Sequence, residues 1–124
     1  MRKPIITDKA PGAIGPYSQG METEQFVYTS GQLGMDPETK EFAPTIEEQT
    51  KRALENVKAV LEAAGSSMDK VVKTTVFLKD MNDFVAMNGV YSQFFTGDCP
   101  ARSAFQVAKL PMDGMVEIEV VALK

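Results

Sequence analysis

Residues 45–65 read TIEEQTKRALENVKAVLEAAG, running from Thr45 to Gly65, and this stretch decides the architecture. Apolar or small residues recur at Ile46, Thr50, Ala53, Leu54, Val57, Val60, Leu61 and Ala64, a helical stripe facing one core. Glu47, Lys51, Glu55, Lys58 and Glu62 occupy the opposite side, where alternating signs suit a solvated face. Thr45 is placed to cap the first turn, and Glu48 three residues on completes a capping box in which each partner satisfies an orphan backbone N–H. Gly65 closes the helix as a left-handed C-cap. The expectation is one amphipathic helix from about Ile46 to Ala64, laid on a sheet.

The flanking segments supply that sheet. Downstream, Val71 to Lys79 carries the β-branched run Val71, Val72, Thr74, Thr75 and Val76. A second helix is expected to open at Asp80 or Asn82 and run through Phe95, burying Phe84, Met87, Tyr91, Phe94 and Phe95. Two strands follow the turn Thr96–Pro100, at Arg102 to Val107 and Met115 to Ala122. In the last, Val116, Ile118, Val120 and Ala122 point one way, while Met115, Glu117, Glu119 and Val121 point the other. Upstream, Gln25 to Leu33 reads as one strand, and Ala10 to Gly20 is a turn-rich ordered loop feeding short extended segments. The order is β, β, α, β, α, β, β: an α+β domain with a mixed sheet and two helices on one face. Two helices cover only one face, so the other needs water or a partner, and Val121 and Met115 beside the glutamates point to self-association.

Composition narrows the chemistry. The 124 residues fit a single domain spanning 1–124, with 44% hydrophobic and 24% charged residues, ordinary soluble usage. Thirteen basic against seventeen acidic residues give a net charge of -4, which argues against nucleic acid as the main partner because no basic excess displaces counterions. There is no histidine, which removes Ser-His-Asp and Cys-His machinery, the HExxH zinc site and imidazole-held metals. The single Cys99 forms no intrachain disulfide and no thiolate zinc site. No long apolar run follows the N-terminal charges and no eighteen apolar residues are consecutive, so a membrane association is not expected, and a cytoplasmic location is.

Six residues are candidates for the chemistry. Arg102, in Cys99-Pro100-Ala101-Arg102-Ser103, stands where a proline stiffens the entry to a strand; its planar fork suits a carboxylate, or it caps a loop as an edge arginine. Glu117 lies within an apolar strand, where a charge is costly without a partner or a task. It is either a proton-handling carboxyl or, with Glu119, part of an acidic stripe, and parity does not separate the two. Tyr17 and Ser30 bring hydroxyls to glycine-rich turns, with Gly31 alongside, and such turns often meet ligands. Asn88 falls within the second helix beside Gly89, either exposed or aimed at a neighbour. The loop Gly12-Ala13-Ile14-Gly15-Pro16 lacks the ending of a phosphate loop.

Together three segments resemble the RidA (YjgF/YER057c/UK114) family: Ala13-Ile14-Gly15-Pro16-Tyr17-Ser18-Gln19-Gly20, Ser30-Gly31-Gln32-Leu33, and Pro100-Ala101-Arg102-Ser103 leading to Val116-Glu117-Ile118-Glu119. Residues 56–65 and 72–80 are similar to family segments too, so the likeness spans essentially the whole chain. It implies a chorismate-mutase-like fold and a homotrimer with sheets facing the centre and ligand clefts between subunits. It also implies hydrolysis of enamines and imines such as 2-aminoacrylate and 2-iminobutanoate to 2-keto acids and ammonia. By position in the motifs, Arg102 corresponds to the arginine that grips the substrate carboxylate and Glu117 to the catalytic-site glutamate. Tyr17, Ser30, Gly31 and Asn88 fall on cleft positions, and Ala104 stands where many members carry cysteine, leaving only its backbone N–H for contact. The loop Thr96–Cys99 is shorter than in some relatives. No cofactor is expected, because an iminium carbon is already electrophilic. A trimer that binds metabolites with little turnover is the alternative expectation.

Overall fold

The computed structural model describes residues 1–124. The first helix, α1 (Ile46–Ala63), forms where expected and buries Ala53, Leu54, Val57, Val60 and Leu61 completely. Thr45 Oγ1 accepts from the Glu48 N–H at 3.2 Å, but the Glu48 carboxylate meets the Thr45 hydroxyl at 3.3 Å rather than the backbone N–H, so only half of the predicted box is made. Gly65 adopts φ +79° just past the helix end, and Ser66 N–H returns to Leu61 O at 2.9 Å, closing the last turn as a left-handed stop.

The sheet contains β1 (Lys3–Ile5), β2 (Gly20–Glu22), β3 (Phe26–Thr29), β4 (Gln32–Leu33), β5 (Val71–Leu78), β6 (Ala101–Gln106) and β7 (Val116–Leu123). Its order is β1-β2-β3-β7-β5-β6, with β4 pairing β7 in line with β3, and only β5 and β6 run parallel. A parallel pair needs a crossover, which α2 (Phe84–Phe94) provides. Both helices pack on one face, in a core with Val76, Leu78, Val116, Ile118, Val120 and Ala122.

Two expectations change. The predicted strand Gln25–Leu33 is broken at Ser30-Gly31: Tyr28 faces Val121, whereas Gln32 faces Ile118, so one extra residue bulges from the ladder along β7. The second helix does not begin at Asp80 or Asn82. Asp80 Oδ1 accepts from Asn82 N–H at 2.8 Å and caps a separate 3-10 turn, Met81–Asp83, before α2 starts. Met87, Tyr91 and Phe95 are buried as expected, with Phe84 and Phe94 only half-buried.

Buried amides absent from the apolar stripe tie the loops down. Asn56 Nδ2 donates to Leu33 O and Met35 O at 3.1 and 3.0 Å; Gln49 Nε2 donates to Ala43 O, and Gln49 Oε1 accepts from Met115 N–H at 2.9 Å. Both groups therefore hold their partners inside the core, where an unpaired amide would be costly.

Candidate active site

Glu117 is carried on the face of β7 turned away from the helices. Register places it beside Phe77 of β5, which in turn faces Phe105 of β6. The bulge at Ser30-Gly31 lets the backbone of Gly31 pass directly over the Glu117 carboxyl: a Cβ there would stand 2.7 Å from Glu117 Cδ. The close approach explains why a residue without a side chain sits at this point. Ser30 is pinned by its N–H to Gln19 O at 2.9 Å and by its hydroxyl, which donates to Ser18 O at 2.5 Å.

Beside these groups opens a cavity of about 750 Å³, lined by Gly12, Ile14, Tyr17, Lys40 and Met112 together with Glu117 and Glu119. Burial raises the proton affinity of Glu117 above that of an ordinary glutamate, and the charge of Glu119 adds to it. Gln19, which local patterns do not single out, anchors the near wall. Its buried amide accepts from Thr7 N–H at 2.8 Å and donates to Thr7 O, Ala10 O and Pro11 O at 2.9 to 3.1 Å. Its sequence signals are a polar side chain in a turn-rich loop and its place in the family-like segment from Ala13 to Gly20.

Arg102 lies elsewhere in the chain. On β6 it faces Thr74, whose partner on β7 is the core residue Val120, so its side chain belongs to the helix-covered face. There Nη1 donates to Asn88 Oδ1 at 2.7 Å, and the guanidinium lies 4.8 Å from the Tyr91 ring centroid and 5.4 Å from that of Phe84. Tyr91 is itself fixed by a 2.8 Å hydrogen bond with Thr74, and Ala104 follows on the same face of β6. No carboxylate lies within 4 Å of Arg102. The structure thus assembles Tyr17, Ser30, Gly31 and Glu117 in one group and Asn88, Arg102 and Ala104 in another, on opposite faces of the sheet. Arg102 and Glu117 do not meet within one chain, and the resemblance implied a cleft between subunits. The physical reason is register, which sets the two residues at opposite parity across β5.

A family model described as Endoribonuclease L-PSP matches residues 7–124, and the RutC family protein UK114 of Drosophila melanogaster is 54% identical over 124 residues, 99% of this chain and 90% of the relative. The chain belongs to the RidA (YjgF/YER057c/UK114) family. Among RidA relatives, the 2-iminobutanoate/2-iminopropanoate deaminase of Mus musculus is 49% identical over 125 residues, 100% of this chain and 93% of that protein. The fold agrees as closely: the crystal structure of E. coli TdcF with bound serine superposes with a TM-score of 0.95 at 47% identity, covering 98% of both chains. These likenesses extend across both residue groups of the RidA chain, not one segment alone.

Proposed function

We propose that this chain is an enamine/imine deaminase, hydrolysing 2-aminoacrylate- and 2-iminobutanoate-type intermediates to 2-keto acids and ammonia. The observation that carries the reading is Glu117, a half-buried carboxyl with raised proton affinity lining a cavity, in a chain half identical to a named 2-iminobutanoate/2-iminopropanoate deaminase. A raised carboxyl is suited to holding a proton that it then returns. For an enamine, Glu117 donates its proton to the terminal carbon and an iminium forms. For the iminium, the carboxylate takes a proton from water as the oxygen bonds to carbon. It then returns that proton to the nitrogen, the C–N bond breaks, and the hydroxyl proton leaves with ammonia as ammonium. Tyr17 and Ser30 orient water or substrate beside it. A serine-bound family neighbour supports a small amino-acid-like ligand.

Arg102 grips the substrate carboxylate, with Asn88 fixing the guanidinium and the Ala104 N–H shaping the pocket. Because the two groups lie on opposite faces, the complete site requires Arg102 of one copy to meet Glu117 of another. Arg102 is on β6, one of the two edge strands of the sheet, a position open to a neighbouring copy. Phe26, Tyr28, Phe77, Phe105 and Val121 share the helix-free face, a surface that a copy of the chain would cover. The assembly is a homotrimer in the cytoplasm, with a mass near three times 13.6 kDa. The RNA chemistry named by the family model finds little support here: the cavity carries Glu117 and Glu119 against one lysine.

The test follows decay of 2-iminobutanoate released by an amino-acid oxidase. Acceleration by the protein supports the reading; no acceleration with retained 2-keto acid binding leaves a metabolite-binding trimer. Mixing Arg102→Ala with Glu117→Gln chains then tests the shared site, since random assembly restores about a quarter of native sites only if the two residues come from different copies.

A further inference from the structure

Lys40 is held in a conformation that side chains rarely adopt, with φ +63°. The turn around it leaves no alternative. Asp36 O accepts from Lys40 N–H at 3.0 Å, Asp36 Oδ1 accepts from Glu38 N–H and Thr39 N–H at 2.8 and 3.0 Å, and Asp36 N–H closes onto Glu41 O at 2.9 Å. Left-handed backbone is favoured by glycine, and a lysine there is strained; such strain gathers where a side chain has a task.

The side chain runs along the cavity wall. Its ammonium lies beside Gly12, 3.8 Å from where a Cβ would stand. Among the residues lining the cavity it is the one cation, against Glu117 and Glu119. It pairs with neither, since no carboxylate lies within 4 Å of it, and the proton affinity of Glu117 is set by burial and Glu119 without it. The result is an unpaired positive charge set apart from the reacting carboxyl in the same cavity. A substrate whose reacting carbon sits at Glu117 shares its cavity with this charge.

We propose that Lys40 is a specificity-determining residue that favours 2-imino acids with a second carboxylate at the far end of the side chain. This rests on the deaminase reading of the cavity. The apolar residues Ile14 and Met112 line the same cavity and suit the methylenes between the two acidic ends.

The experiment compares 2-iminoglutarate with 2-iminobutanoate, each released by an amino-acid oxidase, for the native protein and for Lys40→Gln, Lys40→Gly and Lys40→Arg. Lys40→Gly relieves the backbone strain, so it tests the lost charge without a folding defect. The ratio of kcat/KM for dicarboxylate over monocarboxylate falls about fivefold or more in Lys40→Gln and Lys40→Gly, while Lys40→Arg retains it. In parallel, calorimetry measures 2-ketoglutarate against 2-ketobutanoate binding, and the same ratio of affinities falls. Unchanged ratios in both uncharged variants overturn the proposal while the deaminase reading stands. If neither imine decays faster with native protein, the deaminase reading fails, and the keto-acid affinity ratio still decides the role of Lys40.

Discussion

Gly31→Ala is a small change with a large expected effect. The native backbone at Gly31 lies outside the left-handed region, so alanine is conformationally allowed. The new methyl would stand 2.7 Å from Cδ, 2.8 Å from Oε1 and 2.9 Å from Cγ of Glu117. Carbon atoms in good contact sit about 3.5 to 4.0 Å apart, so the carboxyl must retreat by about 0.8 Å or more. It can do so, because it is the far end of a half-buried, flexible side chain. A misplacement of about 1 Å at a reacting group costs roughly a hundredfold in rate, equivalent to about 2.7 kcal/mol of transition-state stabilisation. Folding should barely change: alanine lowers unfolded-state entropy by about 0.4–1 kcal/mol, offset by about 0.5–1.5 kcal/mol for an off-rotamer Glu117. The assay pairs kcat/KM on 2-iminobutanoate with urea unfolding. Activity within about threefold of native, at native stability, would refute the placement of Glu117 as the proton-handling group beneath Gly31.

Three further outcomes follow from the same geometry. Glu117 binds its proton more tightly when folded than at the ordinary value of 4.5, so its contribution to stability is present below 4.5 and is lost as pH rises through the folded value. Glu117→Gln should therefore gain stability relative to native protein as pH rises from 4 to 7, and parallel melting curves across that range would contradict the burial argument. Arg102→Lys keeps the charge but loses the fork; 2-ketobutanoate affinity measured by calorimetry should fall about tenfold or more with stability little changed. Gln19→Ala removes four hydrogen bonds to residues 7–11, and urea unfolding should show a loss of about 2–3 kcal/mol with faster proteolysis of that loop.

Local patterns carried much of the architecture because their causes are local. The α1 stripe and its Thr45 cap depend on residues three or four apart, and the alternation of β7 depends on neighbours two apart. The same patterns failed where a longer-range interaction intervened. Ser30-Gly31 looks like continuous strand until β7 is beside it, and the Asp80 cap serves a 3-10 turn, closed by Asp83 N–H on Asp80 O at 3.0 Å and tied to β6 where Gln106 Oε1 accepts from Met81 N–H at 2.8 Å. The buried amides of Gln49 and Asn56 fall outside the apolar stripe, and their carbonyl partners lie 6 to 23 residues away in sequence, beyond the reach of a local pattern.

From sequence alone came the α+β class, the two helices on one sheet face, and the family likeness that names Arg102 and Glu117, each carried by short motifs. Parity within β7 could say that Glu117 and Glu119 share a face, but not which one meets a ligand. Only the tertiary structure showed Gly31 passing over the Glu117 carboxyl, and only it separated Arg102 from Glu117 across the sheet. The reason is that strand register is a relation between distant segments, fixed by packing the core, and a shift of one residue exchanges the two faces.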